Sequence, residues 1–335
     1  MSLSEISSTS APAISEADAQ SVMDVLADIS LHDGAESSLL WQAGEVRWEG
    51  PITDRIYNAW SATKSFTATC VGLMVDAGRL DIDAPATEWL PELKQHYAGV
   101  TLRHLLTFTS GVQTKANEAD PSVPLNPFDV REPRFAPGRC LHYSPESEWL
   151  ALAVRRAAGE PMGALFRREI GEKIGFDYDY FRWGEIDTPD GKNNGGSGGF
   201  GAGVHLNPRN LLLFGRLMLQ GGEWNGEQLI SREWLTEAQT SQKLSAAPPW
   251  DALDGWYRDW LPGTYGLHFW VNGIKLNGQR LWPSGSGQVI AAQGNRNQIC
   301  LIIPECDAII VRMGDDGVIN MNHYDQVIAR LKECL

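Results

Sequence analysis

In "SEADAQSVMDVLADISL" the apolar residues Val22, Val25, Leu26 and Ile29 recur at helical spacing, so a helix is expected near the start of the chain. The period then changes: "SSLLWQAGEVRWEG" reads as two short strands around Ala43-Gly44, a hairpin. In "NAWSATKSFTATCVGLMVDAGRL" Phe66, Cys70, Leu73, Met74 and Ala77 line one helical face, and Gly78 is a fitting C-terminal stop. Thr101 is placed to cap "LRHLLTFTSG", a short helix ending at Gly111.

Residues 112–138 hold few apolar periods and carry prolines at 121, 124, 127, 133 and 137, so they read as a long surface loop. "SPESEWLALAVRRAAG" and "PMGALFRREIGEKIGF" return to helix with proline near their starts. "NPRNLLLFGRLMLQGG" is a helix with Asn207 as cap, Pro208 at its first position and Gly221 as stop. The C-terminal third changes period again. "YGLHFWVNG", "QRLWPSG", "GQVIAAQG", "NQICLIIPE" and "DAIIVRMG" are short β-rich runs, as in an antiparallel meander, and "NHYDQVIARLKECL" closes with a helix.

Strands at both ends and helices in the middle imply an α/β (α+β) fold. Both chain ends build one antiparallel sheet, terminal helices flank it, and an all-helical domain is inserted. The matching division assigns residues 1–58 and 222–335 to the α/β part and 59–221 to the mainly helical part.

Composition narrows the function. With 335 residues, 43% hydrophobic and 21% charged, the chain is ordinary for a soluble globular protein. A formal net charge of −14 argues against nucleic acid or an anionic membrane as partner and leaves cationic or neutral small substrates. No apolar run reaches bilayer length. Cys70, Cys140, Cys300, Cys306 and Cys334 form no C-x-x-C pair, and residues 1–14 lack the regions of a secretory signal, so reduced thiols in the cytoplasm are the expectation. The seven histidines show no ligand spacing, His104 and His268 lie in apolar segments, and neither a metal nor an organic cofactor is expected. Oligomeric state leaves no sign in the sequence.

The candidate chemistry begins at Ser61. Lys64 is the only lysine with a serine three residues before it, and residues at i and i+3 share a helix face. A serine hydroxyl needs a base to become a nucleophile. A lysine serves when burial or a cationic neighbour lowers its pKa. Free N–H groups at a helix start add an oxyanion donor, that of Ser61 itself. The competing interpretation is a surface lysine after a capping serine. "GGSGG", residues 195–199, formally matches G-x-S-x-G, and Gly196, Gly198 and Gly201 match G-x-G-x-x-G, but "TPDGKNN" before them is no apolar strand, so a flexible loop is expected there.

"SATKSFTATCVGLMVDAGRLDIDAPATEWLPEL" followed by "VTLRHLLTFTSGV" resembles the serine β-lactamase-like superfamily. That superfamily comprises class C β-lactamases, D-alanyl-D-alanine carboxypeptidases, family VIII carboxylesterases and 6-aminohexanoate-dimer hydrolases. "FAPGRCLHYSPESEWLALAVRRAAGEPM", "GFGAGVHLNPRNLLLFGRLMLQGGEWNGEQLIS" and "YGLHFWV" match further blocks, so the resemblance runs from about Trp41 to the C-terminus. It implies catalytic Ser61 as nucleophile, Lys64 as its partner and Tyr143 as the tyrosine of Y-x-N, a tyrosinate beside an ammonium that relays a proton. Two departures stand out. Y-x-N is Y-S-P here, with Pro145 in place of the amide, and the third motif aligns with Trp282-Pro283-Ser284 followed by Gly285. The resemblance thus puts the oxyanion hole at the N–H groups of Ser61 and Gly285, with Ser286 one register away, and substrate binding at Trp282, Ser284 and Ser286. Tryptophan in place of the cation that holds a β-lactam carboxylate argues against good β-lactamase activity.

The stretch "PPWDALDGWYRDWLPGTYG", with Trp250, Trp256 and Trp260, reads equally as a lid or pocket wall and as a surface excursion packed on the helical domain. The expectation is a serine hydrolase that cleaves a small-molecule ester or amide through an acyl-enzyme, esterase-like or nylon-oligomer-hydrolase-like. Two alternatives stand beside it: a D-amino-acid-type peptidase whose acids, within residues 112–138, hold a substrate ammonium, and a catalytically silent binding module.

Overall fold

The computed structural model describes residues 11–27, 37–50, 53–114, 126–199, 201–250, 255–315 and 321–335. Its first helix, α1 (Glu16–Ala27), buries Val22, Met23 and Leu26. Ala43 and Gly44 both adopt positive φ, 48° and 89°, and turn β1 (Ser37–Gln42) back on β2 (Glu45–Glu49). Two left-handed residues match the right-handed twist of the strands they join. β3 (Tyr57–Asn58) leads into α2 (Thr63–Asp76), α3 (Leu102–Leu106), α4 (Ser147–Ala158) and α5 (Met162–Phe166). Short strands β4 (Phe181–Trp183), β5 (Glu185–Thr188), β6 (Gly191–Asn194) and β7 (Val204–Leu206) precede α6 (Pro208–Leu219). After β8 (Glu223–Trp224), β9 (Glu227–Gln228), α7 (Arg232–Ala238) and α8 (Gly255–Trp260) come β10 (Trp270–Val271), β11 (Ile290–Gly294), β12 (Gln298–Ile303), β13 (Ala308–Met313) and α9 (Met321–Glu333).

The main sheet has the order β10-β11-β12-β13-β1-β2 and is antiparallel throughout. The β1–β13 pairing, from Ser37 opposite Met313 to Gln42 opposite Ala308, joins the two ends of the chain, as the sequence pattern implied. Along β12 the side chains alternate with period two. Cys300 and Ile302 enter the core shared with the helical middle, whereas Ile299, Leu301 and Ile303 enter a second core under α1 and α9.

α6, which the sequence division places in the helical part, packs against β12, β13 and β1, with Gly215 seated on Cys300 and Ile309. The proposed caps are present. Asn207 Oδ1 accepts from Asn210 N at 2.9 Å, and Thr101 and His104 form a reciprocal capping box. The expected meander is shorter than its apolar runs. Of "YGLHFWVNG" only Trp270–Val271 is strand, and "QRLWPSG" is none, because the Asn272 amide binds the backbone of residues 282, 285 and 286.

α2 departs from the one-faced pattern as well. All residues from Thr63 to Met74 are buried, so the helix runs through the core rather than along it. Its hydroxyls are satisfied by backbone carbonyls: Ser65 Oγ donates to His268 O and Thr67 Oγ1 to Gly196 O, both at 2.9 Å. Among the described residues no helix is long and apolar enough to cross a membrane.

Candidate active site

Ser61 sits on a bend. Trp60 before it takes the left-handed conformation, φ 47°, held by its N–H on Asn58 Oδ1 at 2.8 Å and by Gly198 packed so tightly on the Trp60 carbonyl that no side chain fits at 198. Such a conformation costs a non-glycine residue about 1–2 kcal/mol and persists only where neighbours impose it. A single 3-10 turn, Trp60–Ala62, then feeds α2. Ser61 and Lys64 therefore end on one side, and Lys64 Nζ donates to Ser61 Oγ at 3.1 Å and to the Ser197 carbonyl at 3.0 Å.

Lys64 is 3% exposed, and burial brings its pKa down from 10.5 to about 7, against the opposing pull of Glu148. A neutral amine is thus accessible near neutrality, the state in which it accepts the serine proton. Tyr143 lines the same cavity as Ser61, and burial pushes the pKa of its phenol up although the interaction with Ser61 pulls the other way. Nζ stands over the Tyr143 ring, 4.7 Å from the centroid. Nζ thus faces the ring rather than the phenol oxygen, and the upward shift favours the protonated phenol, whereas the resemblance implied a tyrosinate beside an ammonium.

A cavity of about 440 Å³ opens over Ser61. Its aromatic walls are Trp60, Tyr143, Tyr257 and Trp270, and its backbone walls are residues 197–199 and 293–295. Tyr257, from α8, stacks on Tyr143 with ring centroids 4.3 Å apart. The Trp-rich stretch therefore contributes a pocket wall, through its tyrosine. Trp250 and Trp260 are elsewhere, the first under Arg134 at 5.0 Å and the second under Lys275 at 4.5 Å, and the Trp256 side chain lies outside the described residues.

The residues expected to form the third side do not reach the cavity. Trp282 is fully buried in the core under α1 and α9. Gly285 N donates to Trp282 O at 3.1 Å, Ser284 is bound through N and Oγ to Asp325, and Ser286 likewise to Glu305. The strand that faces Ser61 is β11, and its Gln293-Gly294-Asn295 end occupies the place assigned to residues 282–286. The sequence signal was a glycine at the end of a strand, a mark of close backbone approach. Ser61, in the turn before α2, and Asn295, just past β11, both line the cavity.

Two further features of the site escaped the sequence. The "GGSGG" segment, expected to be a loose loop, is a cavity wall, and its glycines are needed because Gly196 lies on Ser147 O and Gly198 on Trp60 O. Glu148, an acid within the apolar run of α4, is fully buried behind that wall. Ser147 and His268 form a serine–histidine contact, Oγ to Nε2 2.8 Å, but both are buried away from the cavity, and His268 Nδ1 is bound to Leu106 O at 2.9 Å. Burial keeps that imidazole well below its usual pKa, and the pair is structural. Among the described residues no cluster suited to a metal ion occurs.

The sequence profile of the family described as Beta-lactamase matches residues 32–317. Esterase EstB of Burkholderia gladioli is 33% identical over 146 residues, which is 36% of this chain and 37% of that protein. The 6-aminohexanoate-dimer hydrolase of Paenarthrobacter ureafaciens is 25% identical over 256 residues, 66% of this chain and 61% of that enzyme. The chain thus spans less than two thirds of either relative's length. In fold it is similar to a penicillin-binding protein homologue from Caulobacter crescentus, with a TM-score of 0.71 and 17% identity across 98% of this chain and 100% of the other.

Proposed function

Because this chain belongs to the beta-lactamase family, we propose that it is a serine hydrolase that cleaves small esters or amides through an acyl-enzyme. The observation that carries the reading is the meeting of the Ser61 hydroxyl, the buried Lys64 amine at 3.1 Å and the Tyr143 phenol in one cavity. Ser61 Oγ attacks the carbonyl carbon while its proton passes to neutral Lys64. The oxyanion is held by the N–H groups of Ser61 and Asn295, which stabilise this developing charge more than they stabilise the ground-state carbonyl. Collapse expels the alcohol or amine, which takes its proton through Lys64 and Tyr143. Water, activated by the same amine, then releases the acid.

The cavity supports uncharged substrates with an apolar acyl or leaving group, esters first. Four aromatic rings line it, and Lys64, needed as base, is the only cation among the lining residues described. A carboxylate such as that of a β-lactam finds no dedicated partner there. The D-amino-acid-type peptidase reading needs an acid facing the cavity. Asp129 and Glu132 are engaged instead with Arg131 and His96, while residues 115–125 lie outside the described part. A silent module gives no reason for a depressed lysine beside the serine. We place the enzyme in the cytoplasm, a setting that the five free cysteines support, and neither nucleic acid nor membrane enters the reading.

A burst of nitrophenol from p-nitrophenyl esters, absent in Ser61→Ala, tests the reading. A Ser61→Ala variant as active as the native chain rejects it.

A further inference from the structure

The cavity wall that receives Lys64 is itself fastened from behind. Glu148 is fully buried on α4 and accepts from Gly196 N at 2.7 Å, from Ser197 N at 3.0 Å and from the Ser197 hydroxyl. Three donors converge on one carboxyl group and, with the nearby Lys64 charge, favour its ionised form against the burial that raises its pKa. On its other side the same segment is pinned by Thr67 Oγ1, which donates to Gly196 O at 2.9 Å. The next carbonyl, that of Ser197, receives Lys64 Nζ at 3.0 Å, and Nζ in turn reaches Ser61 Oγ at 3.1 Å. An unbroken chain of contacts therefore runs from the Glu148 carboxylate through the Ser197 backbone and the amine to the nucleophile.

From this chain of contacts we infer that Glu148 is a positioning residue for the base: it fixes the Ser197 carbonyl that aims Lys64 at Ser61, and its negative charge steadies the ammonium formed when Ser61 loses its proton. The inference rests on the serine-hydrolase reading above. The other groups around Nζ cannot take this role. His268 is neutral, with its Nδ1 on Leu106 O and its Nε2 on Ser147. Tyr143 keeps its proton, and the Ser61 and Ser197 contacts are neutral. Glu148 is the acid whose field opposes the effect of burial on Lys64, and without it the amine holds a proton less readily. A carboxylate that only anchored a loop would alter the shape of the site. One that also serves the base alters the pH at which the site works.

Glu148→Gln keeps the size of the side chain and removes the charge. The expected result is an acid limb of kcat/KM for a p-nitrophenyl ester that moves to lower pH by about one unit, together with a fall in kcat of about tenfold or more. In protein labelled with 13C-lysine, the Lys64 side-chain resonance, assigned by its loss in Lys64→Met, titrates at correspondingly lower pH. Glu148→Asp retains the charge and draws the carboxylate back by one methylene, so it keeps the limb near the native pH while kcat falls. Ser197→Ala removes one donor and leaves the backbone in place; it shifts limb and resonance in the same direction by less, and carries the test if Glu148→Gln does not fold. A folded Glu148→Gln, or failing that Ser197→Ala, with limb and Lys64 titration unmoved overturns the inference. Because the resonance reads Lys64 without turnover, this outcome is distinct from failure of the hydrolase reading, which shows as native protein without Ser61-dependent activity.

Discussion

The α-carbon of Gly294 faces the backbone nitrogen of Ser61 so closely that a β-carbon at 294 would fall on the Ala59 carbonyl and 3.0 Å from the Ser61 and Ala62 nitrogens. The end of β11 is thereby brought against the start of α2, and Asn295 is carried to the cavity. Gly294→Ala is expected to separate the two segments, lowering kcat/KM by about 10²-fold through loss of the oxyanion site. Stability falls by about 1–3 kcal/mol from overpacking. Steady-state kinetics beside a urea titration measure both, and unchanged kinetics would refute the assignment of this strand end.

The rate is expected to follow the neutral form of Lys64. Burial holds its pKa near about 7, so the amine is protonated below that pH and free above it. The predicted kcat/KM rises about tenfold per pH unit below 7 and levels off above it. A profile flat from pH 5 to 9 contradicts this role for Lys64.

Tyr143→Phe separates proton transfer from packing. The ring retains its contacts with Phe108 at 4.5 Å and Tyr257 at 4.3 Å, while the phenol near Ser61 is lost. The predicted outcome is a fall in kcat of about 10²–10³-fold with KM changed by no more than a few-fold.

Glu146 gives a prediction about stability. It is 3% exposed, its Oε1 accepts from Ser144 Oγ at 3.0 Å, and its Oε2 has no partner among the described residues. Burial raises its pKa from 4.5 to about 8, although Ser110, Ser144 and Arg134 pull the other way. A carboxyl raised in this way keeps its proton in the folded state, so its stability contribution is complete below about 4.5 and is lost as pH rises towards 8. Glu146→Gln is therefore expected to gain on the native chain by about 1–3 kcal/mol between pH 5 and pH 8, measured by urea unfolding at each pH. A constant difference between the two would refute it.

Local pattern carried much of the fold. Short β-rich runs at both chain ends foretold the β1–β13 seam, and Ala43-Gly44, Thr101 and Asn207 foretold a turn and two caps. Ser61 and Lys64 were legible because three residues along a helix start already bring their side chains together. Tyr143 came only through the family resemblance, since its approach to Ser61 depends on tertiary packing. Glu148 and Asn295 were missed for the same reason. Their roles arise where one backbone passes close to another, and the only local traces are the glycines 196, 198 and 294 that leave room for it. The 282–286 assignment failed because a short turn organised by Asn272 resembles a strand end in composition alone.

The central claim is that Ser61 becomes acylated. Intact-mass measurement after brief exposure to a fluorophosphonate or a p-nitrophenyl ester tests it most directly. The account predicts a single adduct on the native chain that maps to Ser61 and is absent from Ser61→Ala. Native protein that remains unmodified, or an equal adduct on Ser61→Ala, would contradict it.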